Sequence, residues 1–119
     1  MKRIVLLTAL ALGMALPALA EPPQVKNGMI VDDEGMTLYT LDRDSAGTSM
    51  CNDGCAMKWP PAMADAYDKA SGDFGLMKRG DGMQWTYKGI PLYRWSMDKQ
   101  AGDAMGDGMA GGMWHAAKP

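Results

Sequence analysis

A small, mainly β domain made of two pseudo-symmetric repeats with short helical turns is the fold class this 119-residue sequence predicts. Three observations predict it. Gly35, Leu38, Tyr39 and Asp44 return in register as Gly89, Leu92, Tyr93 and Asp98. The register runs on, with Asp53 and Gly54 falling on Asp107 and Gly108 and, after one inserted residue, Trp59 falling on Trp114. Tight-turn residues, notably Gly and Asp-Gly, punctuate short apolar runs throughout. A fixed internal period marks two copies of one supersecondary unit, each covering the other's apolar face.

Taken in order, the first twenty residues open with Lys2 and Arg3, continue through an apolar run and end in Ala18-Leu19-Ala20 before Glu21. That pattern predicts a secretory signal peptide over residues 1–20, too short to span a membrane. The remainder, residues 21–119, is expected to be one domain, with repeat 1 at about 28–61 and repeat 2 at about 82–117. No Cys stands at the expected start of the exported chain, so no lipid anchor is expected. Residues 25–31 and 36–41 read as strands around the acidic turn Asp32-Asp33-Glu34-Gly35, with alternation visible in the second. Residues 51–59 read as one or two helical turns stopped by Pro60-Pro61. Residues 62–70 read as a short helix, and residues 74–79 as a strand. Gly80-Asp81-Gly82 is a hairpin turn signal. Residues 84–88 and 90–95 read as two more strands, making a meander that carries Trp85, Tyr87, Tyr93 and Trp95. Residues 99–112 are rich in Gly, Asp and Met without a period, and Trp114-His115 closes the domain as a last strand.

From residue 21 onward ten Lys and Arg stand against fourteen Asp and Glu, with no basic run, so nucleic acid is not an expected partner. No later apolar stretch is long enough for a transmembrane segment. A monomer in the periplasm, or secreted beyond it, is expected, with an unidentified envelope partner.

The motif residues Tyr39, Asp44, Tyr93, Trp95 and Asp98 carry a resemblance. Tyr93-Arg94-Trp95-Ser96-Met97-Asp98 fits a Tyr-x-aromatic-x-x-Asp signature, supported by Cys51-Asn52-Asp53-Gly54-Cys55, Trp59-Pro60-Pro61, Gln84-Trp85-Thr86-Tyr87 and Trp114. The chain resembles a family of small secreted bacterial repeats, also described as predicted lipoproteins, of unknown function. Repeat 1 departs from the signature, with Leu41 where an aromatic is expected. The resemblance implies a secreted repeat domain and no particular reaction or ligand.

Cys51 and Cys55 are the only cysteines. In a helical turn their Cα atoms would lie about 6 Å apart, within disulfide range, and export favours oxidation. A structural disulfide is the expectation; a redox-active thiol pair or a metal-bound pair are the alternatives. At the register of these cysteines, repeat 2 carries Met105 and Met109. Eleven methionines over residues 21–119 admit two readings. Thioethers fill irregular gaps in a core. Alternatively Met97, Met105, Met109, Met113 and His115 offer soft ligands to Cu(I), the one cofactor the sequence hints at. Asp42, Asp44, Gly47 and Asp53 sit at calcium-loop offsets, but Ala46 occupies the fifth position and repeat 2 lacks the pattern. Asp44 and Asp98 read better as turn-closing residues that accept backbone N–H groups. Trp59, Trp85, Trp95 and Trp114, with Tyr39, Tyr87 and Tyr93, read as the core. No nucleophile elbow, zinc-protease motif or phosphate loop appears, so catalysis is not expected. The function expected is non-catalytic binding or structural work in the cell envelope, with periplasmic Cu(I) binding and thiol redox chemistry as alternatives.

Overall fold

The structure, a computed structural model, describes residues 21–119; the expected signal peptide lies outside the described residues. Seven short strands and two short helical turns follow in order: β1 (Gln24–Lys26), β2 (Met29–Val31), β3 (Tyr39–Leu41), α1 (Gly54–Lys58), β4 (Phe74–Arg79), β5 (Gly82–Tyr87), β6 (Ile90–Pro91), α2 (Met109–Gly112) and β7 (Trp114–Ala116). The chain is mainly β, as its repeats and turn signals predict.

β1 and β2 form an antiparallel hairpin in which Lys26 faces Met29. The sequence pattern predicts one strand over residues 25–31. The turn at Asn27 and Gly28 divides it, both residues holding positive φ, at 54° and 79°. Asn-Gly is the pair that a two-residue hairpin of this hand prefers. β4, β5 and β6 form the expected three-stranded meander. Its first turn places Gly80 at φ 58°, and its second uses Lys88 and Gly89, again both positive. The ladder runs on to Leu92, whose N–H donates to Trp85 C=O, and stops short of the expected residue 95 because the chain from Tyr93 onward pairs with Tyr39, Pro60 and Lys58.

That pairing links the repeats. β3 runs antiparallel to β7, with Tyr39 opposite Ala116 and Leu41 opposite Trp114. In the corresponding place, Arg94 and Ser96 donate backbone N–H groups to the carbonyls of Pro60 and Lys58. Each repeat therefore lends its last segment to the motif strand of the other. Other bonds match in the same way: Ala117 N–H donates to Leu38 C=O and Ala62 N–H to Leu92 C=O, both within 3.0 Å. Where the motif strands meet, Tyr39 and Tyr93 exchange backbone bonds of 2.7 and 3.0 Å.

Residues 62–70 are not helical. Ala62 and Ala64 donate to Leu92 and Met83, and Ala62 accepts from Trp85, so tertiary pairing draws the segment out. α2 is a single irregular turn with Ala110 and Gly111 at φ 56° and 67°.

Two apolar clusters form the core. One joins Tyr39, Leu41, Cys51, Trp59, Tyr93 and Trp114, all at most 7% exposed. The other joins Ile30, Leu38, Ala62, Trp85, Leu92 and Ala117. The indoles of Trp59 and Trp114 stack 3.8 Å apart and 3° from parallel. Trp59 meets the ring of Tyr39 edge-on, and Trp114 meets that of Tyr93, at 5.3 and 5.2 Å. Aromatic rings contribute most of the apolar area a domain this small can remove from water.

Candidate functional site

Tyr39 and Tyr93 stand on the adjoined motif strands with their rings wholly buried. Their hydroxyls do not turn back to their own repeats. Tyr39 Oη donates to Asp98 Oδ2 at 2.6 Å, and Tyr93 Oη donates to Asp44 Oδ2 at 2.6 Å. The motif tyrosine of each repeat thus satisfies the motif aspartate of the other. The second carboxylate oxygen does what the sequence predicts: Asp44 accepts Met50 N–H, and Asp98 accepts Met105 N–H. The turn-closing role was legible; the tyrosine partner was missed, because nothing local in the sequence says which aspartate a tyrosine reaches. Burial first, and then the bond to Asp44, push the Tyr93 hydroxyl up to about 12 from an ordinary value of 10.0. Burial and the bond to Asp98 raise Tyr39 further in the same direction. Trp95 is half-buried and leans on Trp59, with centroids 4.2 Å apart.

The loop after each motif differs. In repeat 1, Cys51 and Cys55 are joined as a disulfide, with Cα atoms 5.2 Å apart. Arg79 reaches across from β4 to hold this loop, donating to Cys51 C=O at 2.6 Å and to Ser49 Oγ at 2.8 Å. Ser49 in turn lies 2.5 Å from Tyr93 Oη, so one network runs from Asp44 through Tyr93 and Ser49 to Arg79. In repeat 2 no cross-link is available. The loop is held by Thr37, whose hydroxyl donates to Asp103 C=O, and by Asp107, which accepts Ala116 N–H. Gly106 is buried there, and its N–H donates to Tyr39 Oη at 3.2 Å. Its backbone lies against two indoles. A Cβ on it would fall 2.7 Å from Trp59 Cη2 and 3.0 Å from Trp95 Cγ.

The methionines are placed against expectation. No methionine among the described residues is buried. Gap-filling accounts only for Met29 and Met113, which are half-buried against the first cluster. Around the disulfide loop Met50 and Met57 are 59% and 81% exposed. Met97, Met105 and Met109, in repeat 2, are 53%, 64% and 39% exposed, and Met63 and Met83 are exposed near the meander. Aromatic and branched aliphatic side chains fill the core instead. The irregular backbone of α2 keeps Met105, Met109 and Met113 off any common helical face. His115 is exposed, and its Nε2 lies 3.1 Å from Asp42 Oδ2. Of the candidate soft ligands, Met97, Met105 and Met109 are thus free-standing at the surface, while Met113 is tucked against the core and His115 already has a partner.

Among the described residues no three His, Cys, Asp or Glu side chains form a metal-binding group, and the calcium-loop offsets are accordingly not gathered. Arg94 grips the acidic turn, donating Nε–H to Asp32 Oδ2 at 2.6 Å and Nη2–H to Glu34 Oε1 at 2.6 Å. Asp32 also accepts the N–H groups of Glu34 and Met36, so its carboxylate is fully engaged in shaping the turn. Clefts of about 260 and 520 Å³ flank β2, and neither is lined by a histidine, cysteine or serine. No helix among the described residues is long and apolar enough to cross a membrane.

A family model described as a secreted repeat of unknown function matches residues 24–63 and, a second time, residues 75–118. No curated protein and no solved structure matches the chain.

Proposed function

Since the chain belongs to this family of secreted repeats of unknown function, we propose that it works in the cell envelope, in the periplasm, as a monomeric, single-domain, non-catalytic binding protein whose contact chemistry is its surface thioethers. One observation carries the reading. Seven methionines stand 38–81% exposed on a domain that fully buries none. Exposed apolar side chains mark a contact site where they gather, and five of the seven fall around the two corresponding loops, Met50 and Met57 in repeat 1 and Met97, Met105 and Met109 in repeat 2. No reaction is assigned, because the ionisable groups of the motif, and Asp32 and Glu34 of the acidic turn, are engaged in structural contacts.

Thioether chemistry favours a soft cation, and Cu(I) is the one an exported protein meets. Met97, Met105 and Met109 are the ligands this reading rests on; His115 would first have to leave Asp42. The thiol redox alternative has little behind it, since Cys51 is wholly buried and a reactive thiol needs access.

Competition of the exported protein against a chromogenic Cu(I) chelator tests the proposal. Stoichiometric binding at about 1 µM or tighter, lost in the Met105→Leu/Met109→Leu double variant, is the expected result. The swap conserves volume at exposed sites, so its stability should stay within about 0.5 kcal/mol. Absence of binding would remove Cu(I) and turn the search to protein partners in the envelope.

A further inference from the structure

We propose that the exposed methionines form an oxidant-consuming surface, which takes up hypohalous acid as sulfoxide while the fold stays intact. The inference goes beyond the binding reading and needs neither a metal nor a partner.

Position carries it. Sulfoxidation harms a protein when it sets a polar oxygen inside apolar packing. Here neither core cluster contains a buried methionine. Met57, Met105, Met50 and Met97 are each more than half exposed, so oxidant reaches their sulfurs without any opening of the structure. Their backbones are held by groups that sulfur chemistry does not touch: Met50 N–H by Asp44, Met105 N–H by Asp98 and Met57 N–H by Asp53 C=O. The cysteines are already joined, so no free thiol competes for the oxidant.

The step balances. The thioether sulfur attacks the chlorine of hypochlorous acid and displaces hydroxide. Water then adds to the chlorosulfonium ion, and chloride and protons leave. In net terms one thioether and one hypochlorous acid give one sulfoxide, one chloride and one proton. Sulfur loses the two electrons that chlorine gains.

Stepwise addition of hypochlorous acid to the exported, copper-free protein tests this, with oxygen uptake located by peptide mass mapping and the fold followed by near-ultraviolet circular dichroism. Oxygen should appear first on the exposed methionines, with the near-ultraviolet spectrum unchanged until they are consumed. A methionine-containing reporter peptide in the same solution should be oxidised less per equivalent of oxidant, in proportion to the accessible thioethers the protein adds. Replacing Met50, Met57, Met97 and Met105 with Leu, four of the seven exposed thioethers, should remove more than half of that protection. Loss of the spectrum before the exposed sulfurs react, sulfoxide on Met113 as early as on Met57, or full reporter protection by the Leu variant would each overturn the proposal. These outcomes do not depend on whether the protein binds Cu(I).

Discussion

Tyr39 donates to a carboxylate that is itself buried, since Asp98 is 7% exposed. Removing that donor leaves Asp98 with one backbone bond and a desolvated oxygen. Tyr39→Phe should therefore cost about 1–3 kcal/mol in chemical denaturation. Combined with Asp98→Asn, the loss should be less than additive, because the two groups share one bond. Tyr93→Phe should cost less, because Asp44 is more accessible. Both hydroxyls hold their protons more tightly in the folded chain than in the unfolded one. Their contribution to stability is complete below pH 10 and is lost as the pH climbs toward the folded value of about 12 for Tyr93. Alkaline titration should show stability falling from about pH 10, with two tyrosinate absorbance steps delayed until the fold melts. At this scale the sequence showed that Asp44 and Asp98 close turns, because an aspartate reaches its own following backbone. It could not show the crossed tyrosine bonds, which join residues about half the chain apart.

The elements record where local signals compete with tertiary pairing. Asn27-Gly28 is a hairpin signal that the flanking apolar residues mask, so the pattern of residues 25–31 resembles one strand where the chain forms two. Residues 62–70 carry alanines and polar residues that suit a helix, yet the carbonyls and amides of Leu92, Met83 and Trp85 claim them. The repeat 2 loop shows the opposite dependence, on a single missing side chain. Gly106 lets the backbone touch Trp59 and Trp95, and a methyl group there would have to displace stacked rings. Gly106→Ala should destabilise by about 1–3 kcal/mol, read as a lower denaturant midpoint. Gly54→Ala is the control. Its Cβ meets nothing within 4 Å in the first turn of α1, and the change should be neutral or stabilising by about 0.5–1 kcal/mol.

For the whole molecule, the internal repeat predicted the mainly β class and the aromatic core. The exchange of terminal segments was not legible, because a repeat shows that two units resemble each other and not how they are threaded. β3 finds its partner in β7, and residues 58–60 find theirs beyond Tyr93. Fragments 21–70 and 71–119 should each lack near-ultraviolet dichroism alone and regain it when mixed at equal concentration. A folded signal from either fragment alone would contradict the exchange. The exposed methionines follow from the same economy of space. A core closed by five buried aromatic rings, three half-buried ones and a few aliphatic chains leaves most thioethers to the surface, which is why composition alone could not place them.

The crossed tyrosine–aspartate bonds also bear on mass action. Two separate half-length chains that completed each other in this way would associate with a dissociation constant, and dilution would part them. Joined through residues 64–73, the halves see one another at an effective concentration in the millimolar range whatever the volume around them. Assembly becomes first order. An exported protein built this way holds together however dilute it becomes.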